Sequence, residues 1–335
     1  MRESTGVSVV MPVLNEERHL AAAVQRILEQ DWTGPLEVVL AVGPSKDRTH
    51  EVAEELSRAD ARVKVVPNPT GRTPCGLNAA IAASQHPVVV RVDGHAMVPG
   101  DYVRIGVETL ERTGADNVGG LMAAEGSTDM ERAVARAMTS WFGVGGAAFH
   151  IGGSEGPAPT VYLGCFRRSA LDRVGGYDEG MLRAQDWEMN HRIRSTGGTV
   201  WFTPAMRVSY RPRSTWRALS SQYFHYGRWR REVARRYPTT VSVRYLAPPI
   251  ALAAVTLGLL LGVVGLVVSS AVLAILGFGV PLLYAVAVAA ASAVLGRGLG
   301  WGAGRRLPLV FATMHMSWGW GFLRGGARRA AAPLR

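Results

Sequence analysis

Residues 7–17 read Val-Ser-Val-Val-Met-Pro-Val-Leu-Asn-Glu-Glu. The run over residues 7–13, apolar except for Ser8, predicts a strand that is buried on both faces, as the strands of parallel sheets are. Asn15 is then expected to be the N-cap of a helix that carries Glu16 and Glu17 in its first turn. Apolar residues follow at helical spacing, namely Leu20, Val24, Ile27 and Leu28. This stretch therefore predicts the first strand and the first helix of an alternating fold.

The same alternation continues along the chain. Further strands are predicted over residues 36–42, 62–66 and 88–92, and a further helix over residues 74–84. This order predicts an α/β fold with a mostly parallel sheet and helices on both of its faces. Such sheets bind ligands beyond the carboxyl ends of their strands, so the residues after each strand are the first candidates for a site. The absence of Gly-x-Gly-x-x-Gly after the first strand disfavours a dinucleotide-binding dehydrogenase.

The net charge of +11 is unevenly distributed over the 335 residues. The last acidic residue is Glu232, and the 103 residues after it contain ten arginines, which leaves a charge of +1 for residues 1–232. A basic tail beside apolar segments fits anionic lipid better than nucleic acid. Two cysteines exclude a disulfide framework and a four-cysteine zinc site. The absence of a secretory signal at Met1 predicts a cytosolic N-terminal part.

A long uncharged stretch predicts a membrane region. Between Arg244 and Arg297 lie 52 residues without Asp, Glu, Lys, Arg or His. Because one membrane span needs ~20 residues, we expect two spans, over about 246–268 and 271–295. Their turn would lie near Ser269–Ser270 or at Gly277–Pro281. The alternative is a buried hydrophobic hairpin, which would need a core large enough to surround both helices.

A third apolar segment, residues 307–323, is shorter and contains His315. Crossing, re-entry and interfacial placement are all open for this segment. Arginines flank both of its ends, and the positive-inside rule places such flanks on the cytosolic side. The rule therefore favours a segment that does not cross. The flanking arginines are Arg297, Arg305, Arg306, Arg324, Arg328 and Arg329.

Two groups of residues point to chemistry. Asp93, Gly94 and His95 follow the fourth predicted strand, where a carboxylate and an imidazole can hold Mg²⁺ or Mn²⁺ on a diphosphate. The alternative is a turn whose aspartate accepts backbone hydrogen bonds, but the position after a buried strand favours the cation site. Asp186 opens a later helix. It is equally interpreted as a helix cap and as a general base that the helix dipole keeps ionised.

Four motifs in this order resemble glycosyltransferase family 2, whose members are inverting enzymes with a GT-A fold. They are the strand that ends Pro-Val-Leu-Asn-Glu, the Ser-x-Asp-x-Thr loop at 45–49, the Asp-Gly-His triplet at 93–95, and Gly-Gly-Tyr-Asp-Glu at 175–179 followed by Gln185-Asp186. The resemblance covers residues 5–240. Within the family, residues 92–96, 160–164 and 226–229 are most similar to succinoglycan-type exopolysaccharide glycosyltransferases.

The resemblance implies transfer of a sugar, with inversion, from a nucleotide diphosphate sugar such as a UDP-hexose to a lipid-linked saccharide. The product would belong to an exopolysaccharide or a cell-envelope glycan. Asp186 would be the catalytic base, and Asp93 with His95 would hold a divalent cation. Arg228 and Trp229 would contact the acceptor or its diphosphate. The donor pocket would be lined by Pro12, Asn15, Glu16, Asp47, Arg72, Asn78 and Asp93.

Three positions depart from the family pattern. Gly43 stands where family members usually have an aspartate that contacts the donor base, so the nucleotide selectivity is open. His95 replaces the usual second aspartate of the metal motif, and Gln185 replaces the usual glutamate before the base.

The expected organisation has three parts: a GT-A domain over 1–213, an amphipathic interfacial region over 214–245, and a transmembrane region over 246–335. The interfacial region mixes aromatic residues with arginines, which is typical of a helix on anionic lipid. We therefore expect a multi-pass protein of the cytoplasmic membrane with a cytosolic catalytic domain. The alternatives are a polyprenyl-phosphate sugar synthase and a non-catalytic membrane scaffold. A nucleic-acid binder is disfavoured, because the arginines cluster beside the predicted spans.

Overall fold

The computed structural model describes residues 5–325. Their contacts divide into two units, one of residues 5–123 and 147–210, the other of residues 124–146 and 211–325. The expected three-part organisation, with boundaries after 213 and 245, stays a prediction. Its ends, residues 1–4 and 326–335 with Arg328 and Arg329, lie outside the described residues.

The first unit contains an eight-stranded sheet. Its strands are β1 (Val7–Val13), β2 (Leu36–Val42), β3 (Val63–Pro67), β4 (Val88–Arg91), β5 (Asn117–Ala124), β6 (Gly156–Pro157), β7 (Tyr162–Arg167) and β8 (Val200–Tyr210). They lie in the order β3-β2-β1-β4-β7-β5-β8-β6. The β1–β2, β2–β3 and β1–β4 pairs are parallel, whereas β7 pairs antiparallel with β4 and β5. The predicted α/β fold is therefore confirmed.

Helices occur in both units. In chain order they are α1 (Leu20–Leu28), α2 (Thr49–Ala59), α3 (Thr73–Ala83), α4 (Tyr102–Thr113), α5 (Asp129–Met138), α6 (Trp141–Val144), α7 (Ala148–Ile151), α8 (Arg168–Val174), α9 (Gln185–Ser195), α10 (Trp216–Arg236), α11 (Val243–Val267), α12 (Ala271–Leu295), α13 (Trp301–Gly304) and α14 (Leu307–Arg324). A 3₁₀ helix over Pro238–Thr240 lies between α10 and α11. Helices α5, α6 and α10–α14 belong to the second unit.

Strand β1 is covered on both faces. Val7, Val9, Met11 and Val13 lie in one hydrophobic core, and Val10 lies in the core on the opposite face. Successive side chains of a strand point to opposite faces, so a strand buried on both sides must be apolar at consecutive positions. This explains the apolar run that predicted β1, in which the buried Ser8 is the one polar residue.

The first helix begins later than predicted. Helix α1 begins at Leu20 with His19 at its N-cap, so the prediction of Asn15 as the cap is wrong. Asn15 has φ of 57°, its side-chain Oδ1 accepts a hydrogen bond from Lys46 N at 2.7 Å, and its own N–H donates to Ser45 Oγ at 3.0 Å. The side chain that would have capped the helix instead fixes the loop after β2.

Helices α11 and α12 match the two predicted spans. Both are long and apolar enough to cross a membrane, and 17% and 11% of the residues in their apolar segments are buried. The turn between them lies at Ser269, which has φ of 56°, whereas Gly277 and Pro281 lie inside α12. Because most of this apolar surface is exposed, the hairpin is not the core of a soluble unit and suggests membrane association.

Glycines let α11 and α12 pack closely. A Cβ at Gly258 would lie 2.8 Å from Gly277 O, and a Cβ at Gly277 would overlap the backbone of Gly262. Small residues at such contacts allow two membrane helices to approach each other, which gives van der Waals attraction in place of a hydrophobic driving force.

Helix α14 packs against α10 and α11. A Cβ at Gly227 of α10 or at Gly321 of α14 would overlap the backbone of the other helix. Arg231 Nη1 donates a hydrogen bond to Phe322 O at 3.2 Å, at the C-terminal end of α14, where carbonyls lack partners within the helix. Residues 307–323 therefore form a packed helix, and their placement relative to the membrane stays a prediction.

Residues 124–146 belong to the second unit although they lie within the sequence of the first. The Phe142 and Phe311 rings are 5.0 Å apart between centroids, and His315 Nε2 lies 2.9 Å from Phe142 O. Asp129 forms an ion pair of 3.4 Å with Arg306. Nothing in the sequence pattern predicted this association, because it depends on contacts across more than 150 residues of chain.

The close approach of α11 and α12 predicts a position-specific effect of larger side chains. Gly277→Val should destabilise the protein by ~1–3 kcal/mol, because the new methyl groups overlap the α11 backbone. Gly279→Val is the matched control, since a Cβ at Gly279 meets no atom of the described residues within 4 Å. The measurement is the thermal unfolding midpoint of both purified variants in micelles. Equal midpoints for the two variants would contradict the packing.

Candidate active site

The candidate residues around Asp93 lie where the strand order reverses. Strands β1 and β4 are parallel neighbours at this point of the sheet, and their carboxyl ends are the expected ligand-binding edge. His95 Nδ1 lies 2.8 Å from Glu16 Oε1. A Cβ at Gly94 would lie 2.9 Å from Val13 Cγ1, so the glycine permits the turn after β4 to approach the end of β1.

Arg91 joins two of the predicted site residues. It is the last residue of β4 and is 3% exposed. Its Nε and Nη2 donate hydrogen bonds to Asp93 Oδ1 at 3.2 and 3.0 Å, and its Nη1 donates to Asp186 Oδ1. The Asp93 and Asp186 side chains remain 22% and 23% exposed. One guanidinium thus positions two carboxylates whose outer edges stay accessible.

The charges of this group follow from its burial and its ion pairs. Burial lowers the pKa of Arg91, but Asp186 and Asp93 raise it well above its ordinary value, so the guanidinium is charged. Burial raises the pKa of Asp186 to about 6, although Arg91 acts in the opposite direction. The expectation of a lowered pKa for Asp186 is therefore wrong, because burial raises this pKa more than Arg91 lowers it. At neutral pH Asp186 is ionised and more basic than an ordinary aspartate.

The helix-cap interpretation of Asp186 is not supported by the local structure. The N-cap residue of α9 is Ala184, which has φ of 59°, and Asp186 lies in the first turn. Its side chain binds Arg91 instead of serving as the N-cap.

The Tyr177 ring packs beside the Arg91 guanidinium. The Arg91 Cζ atom lies 5.9 Å from the centroid of the Tyr177 ring, and burial raises the pKa of this phenol, so it stays protonated. The predicted donor residue Asn78 holds Tyr177 in place: Asn78 Nδ2 donates to Tyr177 O at 2.9 Å, and Tyr177 N donates to Asn78 Oδ1 at 2.8 Å. The Gly-Gly-Tyr-Asp-Glu motif thus packs its tyrosine against the Arg91 ion pairs.

Asp47 organises the loop after β2. Its carboxylate accepts hydrogen bonds from Glu17 N at 3.2 Å, Thr49 N at 3.1 Å and Thr49 Oγ1 at 2.5 Å. Burial raises the pKa of Asp47, but the hydrogen bonds from Thr49 lower it more strongly, so the carboxylate is ionised. Asp47 and Asn15 therefore support the loops at the ends of β1 and β2.

The remaining predicted residues lie in different places. Pro12 is half-buried on β1, and Arg72 is half-buried before α3. Arg228 and Trp229 lie on α10 of the second unit and are half-buried. The Arg228 Cζ atom lies 5.8 Å from the centroid of the Phe224 ring.

The residues around Asp93 fit a divalent cation whose remaining ligands are phosphate oxygens of the substrate and water. Among residues 5–325, no three His, Cys, Asp or Glu side chains are grouped as a metal site. Mg²⁺ is often held by one or two carboxylates, with phosphate oxygens and water as its other ligands. Both Arg91 bonds to Asp93 reach Oδ1, so they do not use Oδ2. Glu16 contacts His95 in the way that a carboxylate usually contacts, and thereby orients, a metal-binding histidine.

The sequence interpretation missed Arg91. The signal was an arginine at the end of an otherwise apolar strand, Val-Val-Val-Arg, in a sheet covered on both faces. A buried charge needs a partner, so such an arginine predicts acidic residues beside it.

The chain is similar in sequence to several known proteins. The sequence pattern of glycosyl transferase family 2 matches residues 8–175. The succinoglycan biosynthesis protein ExoA of Rhizobium meliloti (strain 1021) is 31% identical over 323 residues, which are 96% of this chain and 95% of that protein. A dolichyl N-acetyl-α-D-glucosaminyl phosphate 3-β-D-2,3-diacetamido-2,3-dideoxy-β-D-glucuronosyltransferase of Methanococcus voltae is 23% identical over 230 residues, 66% of this chain and 71% of that one.

A solved structure shares the fold. The mannosyltransferase PcManGT from Pyrobaculum calidifontis, in complex with GDP-Man and Mn²⁺, superimposes with a TM-score of 0.59 at 19% identity, over 96% of this chain and 87% of that one. The family match, the identity to the Rhizobium protein and the shared architecture lead to one conclusion: the chain belongs to glycosyl transferase family 2 and is a glycosyltransferase with a GT-A fold.

Proposed function

We propose that this glycosyltransferase moves a sugar, with inversion, from a nucleotide diphosphate sugar to a lipid-linked saccharide in the synthesis of an exopolysaccharide or cell-envelope glycan. The observation that carries the proposal is the pair of partly exposed carboxylates, Asp93 and Asp186, on the buried Arg91. One carboxylate lies at the strand end where a diphosphate is expected, and the other has a raised pKa that suits a base.

Asp186 acts as the general base in this proposal. It takes the proton of an acceptor hydroxyl while the oxygen of that hydroxyl attacks the anomeric carbon of the donor. The bond from the anomeric carbon to the diphosphate oxygen breaks, and the nucleoside diphosphate leaves with the electron pair. A single displacement of this kind inverts the anomeric carbon. Arg91 keeps the base in place through its bond to Asp186 Oδ1.

Asp93 and His95 are the residues that would hold a divalent cation. When bound, Mn²⁺ or Mg²⁺ neutralises the negative charge that develops on the leaving diphosphate. The PcManGT complex contains Mn²⁺ together with GDP-Man, which supports a cation of this class. Because Gly43 leaves the base selectivity open, both UDP-hexoses and GDP-mannose belong among the donors to be tested.

The second unit supports a membrane location. Arg244 lies in the first turn of α11, and Arg297 follows α12, so both ends of the hairpin carry positive charge. The positive-inside rule then gives two crossings with both ends, and the chain before them, on the cytosolic side of the membrane. The name of the relative from Methanococcus voltae contains dolichyl N-acetyl-α-D-glucosaminyl phosphate, a lipid-linked sugar, which supports a lipid-linked acceptor here.

Asp186→Asn tests the base directly. We expect sugar transfer to fall by ~10²–10⁴-fold, because the amide cannot accept a proton at neutral pH. Affinity for the nucleoside diphosphate should remain, since Asp186 faces the acceptor in this proposal. The control is Asp172→Asn, which changes an exposed aspartate of α8. Transfer near the wild-type rate in Asp186→Asn would exclude this residue as the base.

The pH profile of the wild-type enzyme gives a second readout of the same base. The pKa of Asp186 is raised to about 6, and only the ionised form can accept a proton. The rate should therefore rise with pH until the carboxylate is ionised, with a midpoint at or below about 6, since a cation at Asp93 favours ionisation further.

Asp93→Asn tests the cation. This variant keeps an oxygen that can accept the Arg91 hydrogen bonds, but it removes the charge that a cation needs. We expect loss of transfer, and weaker Mn²⁺ binding in the presence of nucleoside diphosphate as measured by electron paramagnetic resonance. His95→Asp should retain activity, because it restores the commoner ligand of the family. Full activity of the wild-type enzyme in EDTA would remove the cation from the mechanism.

A further inference from the structure

An open groove of about 330 Å³ lies between helices α10 and α14 of the second unit. Its α10 wall consists of residues spaced three to four apart, which places them on one helix face. Two residues of α14 complete the groove. The lining residues are Arg217, Ser220, Ser221 and Phe224 from α10, with Ser317 and Trp320 from α14.

The lining of the groove includes hydroxyl groups and one positive charge. Ser220 Oγ and Ser317 Oγ lie 2.9 Å apart, so the two helices hold a pair of hydroxyl groups together. Arg217 is exposed beside them. No acidic residue occurs in α14, and the single acidic residue of α10, Glu232, is bound by Arg235 and Arg236 at 3.1 and 2.9 Å. The groove therefore suits an anion that accepts hydrogen bonds.

The aromatic residues give the groove an apolar side. Trp320 is 53% exposed, and the Arg228 Cζ atom lies 5.8 Å from the centroid of the Phe224 ring. A large exposed indole is unfavourable in water but typical of the membrane–water interface.

Contacts with α11 place the groove at one end of a predicted span. A Cβ at Gly319 of α14 would lie 2.6 Å from Pro248 O, in the first turns of α11. Ser317 and Trp320 lie within a turn of Gly319 on the same helix. If α11 crosses the bilayer, the groove lies at the depth of lipid headgroups.

We propose that this groove binds the phosphate headgroup of the polyprenyl lipid that carries the acceptor saccharide. Arg217, Ser221 and one hydroxyl of the Ser220–Ser317 pair donate to the phosphate oxygens, while the other hydroxyl of the pair donates to its partner. Trp320 and Phe224 contact the first carbons of the lipid chain. The inference rests on the proposed function, which supplies a lipid-linked acceptor. It assigns the headgroup to a groove that the sequence interpretation, with Arg228 and Trp229, had not identified.

Hydroxyl groups fixed beside an arginine favour a particular headgroup over the bulk lipid surface. General attraction to anionic lipid needs only exposed arginines, which α10 supplies elsewhere, as at Arg231 and Arg235. A cavity with a fixed pair of hydroxyl groups adds directional hydrogen bonds, and these select a ligand with several phosphate oxygens.

The test uses the full-length protein in nanodiscs of zwitterionic phosphatidylcholine, with farnesyl diphosphate as the probe and calorimetric titration as the readout. Arg217→Gln should weaken binding by about 10-fold or more, because it removes a charge-assisted hydrogen bond. Ser317→Ala should weaken binding by a smaller factor. The matched control is Arg235→Gln, an arginine of the same helix that lies five turns away and outside the groove. It should bind as the wild-type protein does.

Three results would overturn the proposal. Equal weakening in Arg217→Gln and Arg235→Gln would mean general charge attraction. Displacement of the probe by an equal amount of phosphatidylglycerol would mean a bulk phospholipid site. Binding of inorganic pyrophosphate as tight as that of the probe would mean a site for free phosphate. Thermal unfolding of each variant shows that it is folded.

The binding assay contains no donor, so it separates this inference from the proposed function. One possible result is that the wild-type protein transfers no sugar from any donor, while Arg217→Gln binds the probe more weakly than Arg235→Gln does. That result would overturn the proposed function and support the proposed groove. Sugar transfer with no difference in probe binding between the two arginine variants would overturn the groove alone.

Discussion

Arg91 is 3% exposed at the end of β4, and its guanidinium binds the carboxylates of Asp93 and Asp186. An isolated buried charge is costly, so each of these three groups constrains the others. The arrangement fixes β4 against the first turn of α9. It also keeps two carboxylates close together, and because one guanidinium carries a single positive charge, it cannot neutralise both of them. The proposed base and the proposed cation site therefore depend on one buried cation.

The electrostatics of the site serve two requirements at once. A base must be ionised at neutral pH, yet basic enough to accept a proton. Burial raises the pKa of Asp186 to about 6, and Arg91 limits that rise. Without the arginine, burial and the neighbouring Asp93 would both favour protonation, and the carboxylate would be a poorer base at neutral pH. We infer that Arg91 tunes Asp186 as well as positioning it.

Much of the fold was predictable from local sequence. Strands β1 and β2 match the predicted bounds because a strand buried on both faces must be largely apolar, and each has one buried polar residue, Ser8 in β1 and Glu37 in β2. The two long helices match the predicted segments because 52 residues without Asp, Glu, Lys, Arg or His are enough for two apolar helices of membrane-spanning length. Asn15 was misassigned as a helix cap because its side chain instead accepts a hydrogen bond from Lys46 N, and this contact forms only in the folded loop. Local pattern could not show the Arg91 bridge or the association of residues 124–146 with the second unit, since both join parts far apart in sequence.

The central claim is that Arg91 acts on sugar transfer through Asp186, and a double-mutant cycle tests it most directly. Transfer rates would be compared for the wild-type enzyme, Arg91→Met, Asp186→Asn and the double variant, with folding of each confirmed by thermal unfolding. The account predicts that Arg91→Met slows the Asp186→Asn enzyme less than it slows the wild-type enzyme, with a coupling free energy of ~1–3 kcal/mol. The loss that remains in the Asp186→Asn background reflects the Arg91 bonds to Asp93. An equal loss of rate in both backgrounds would contradict it.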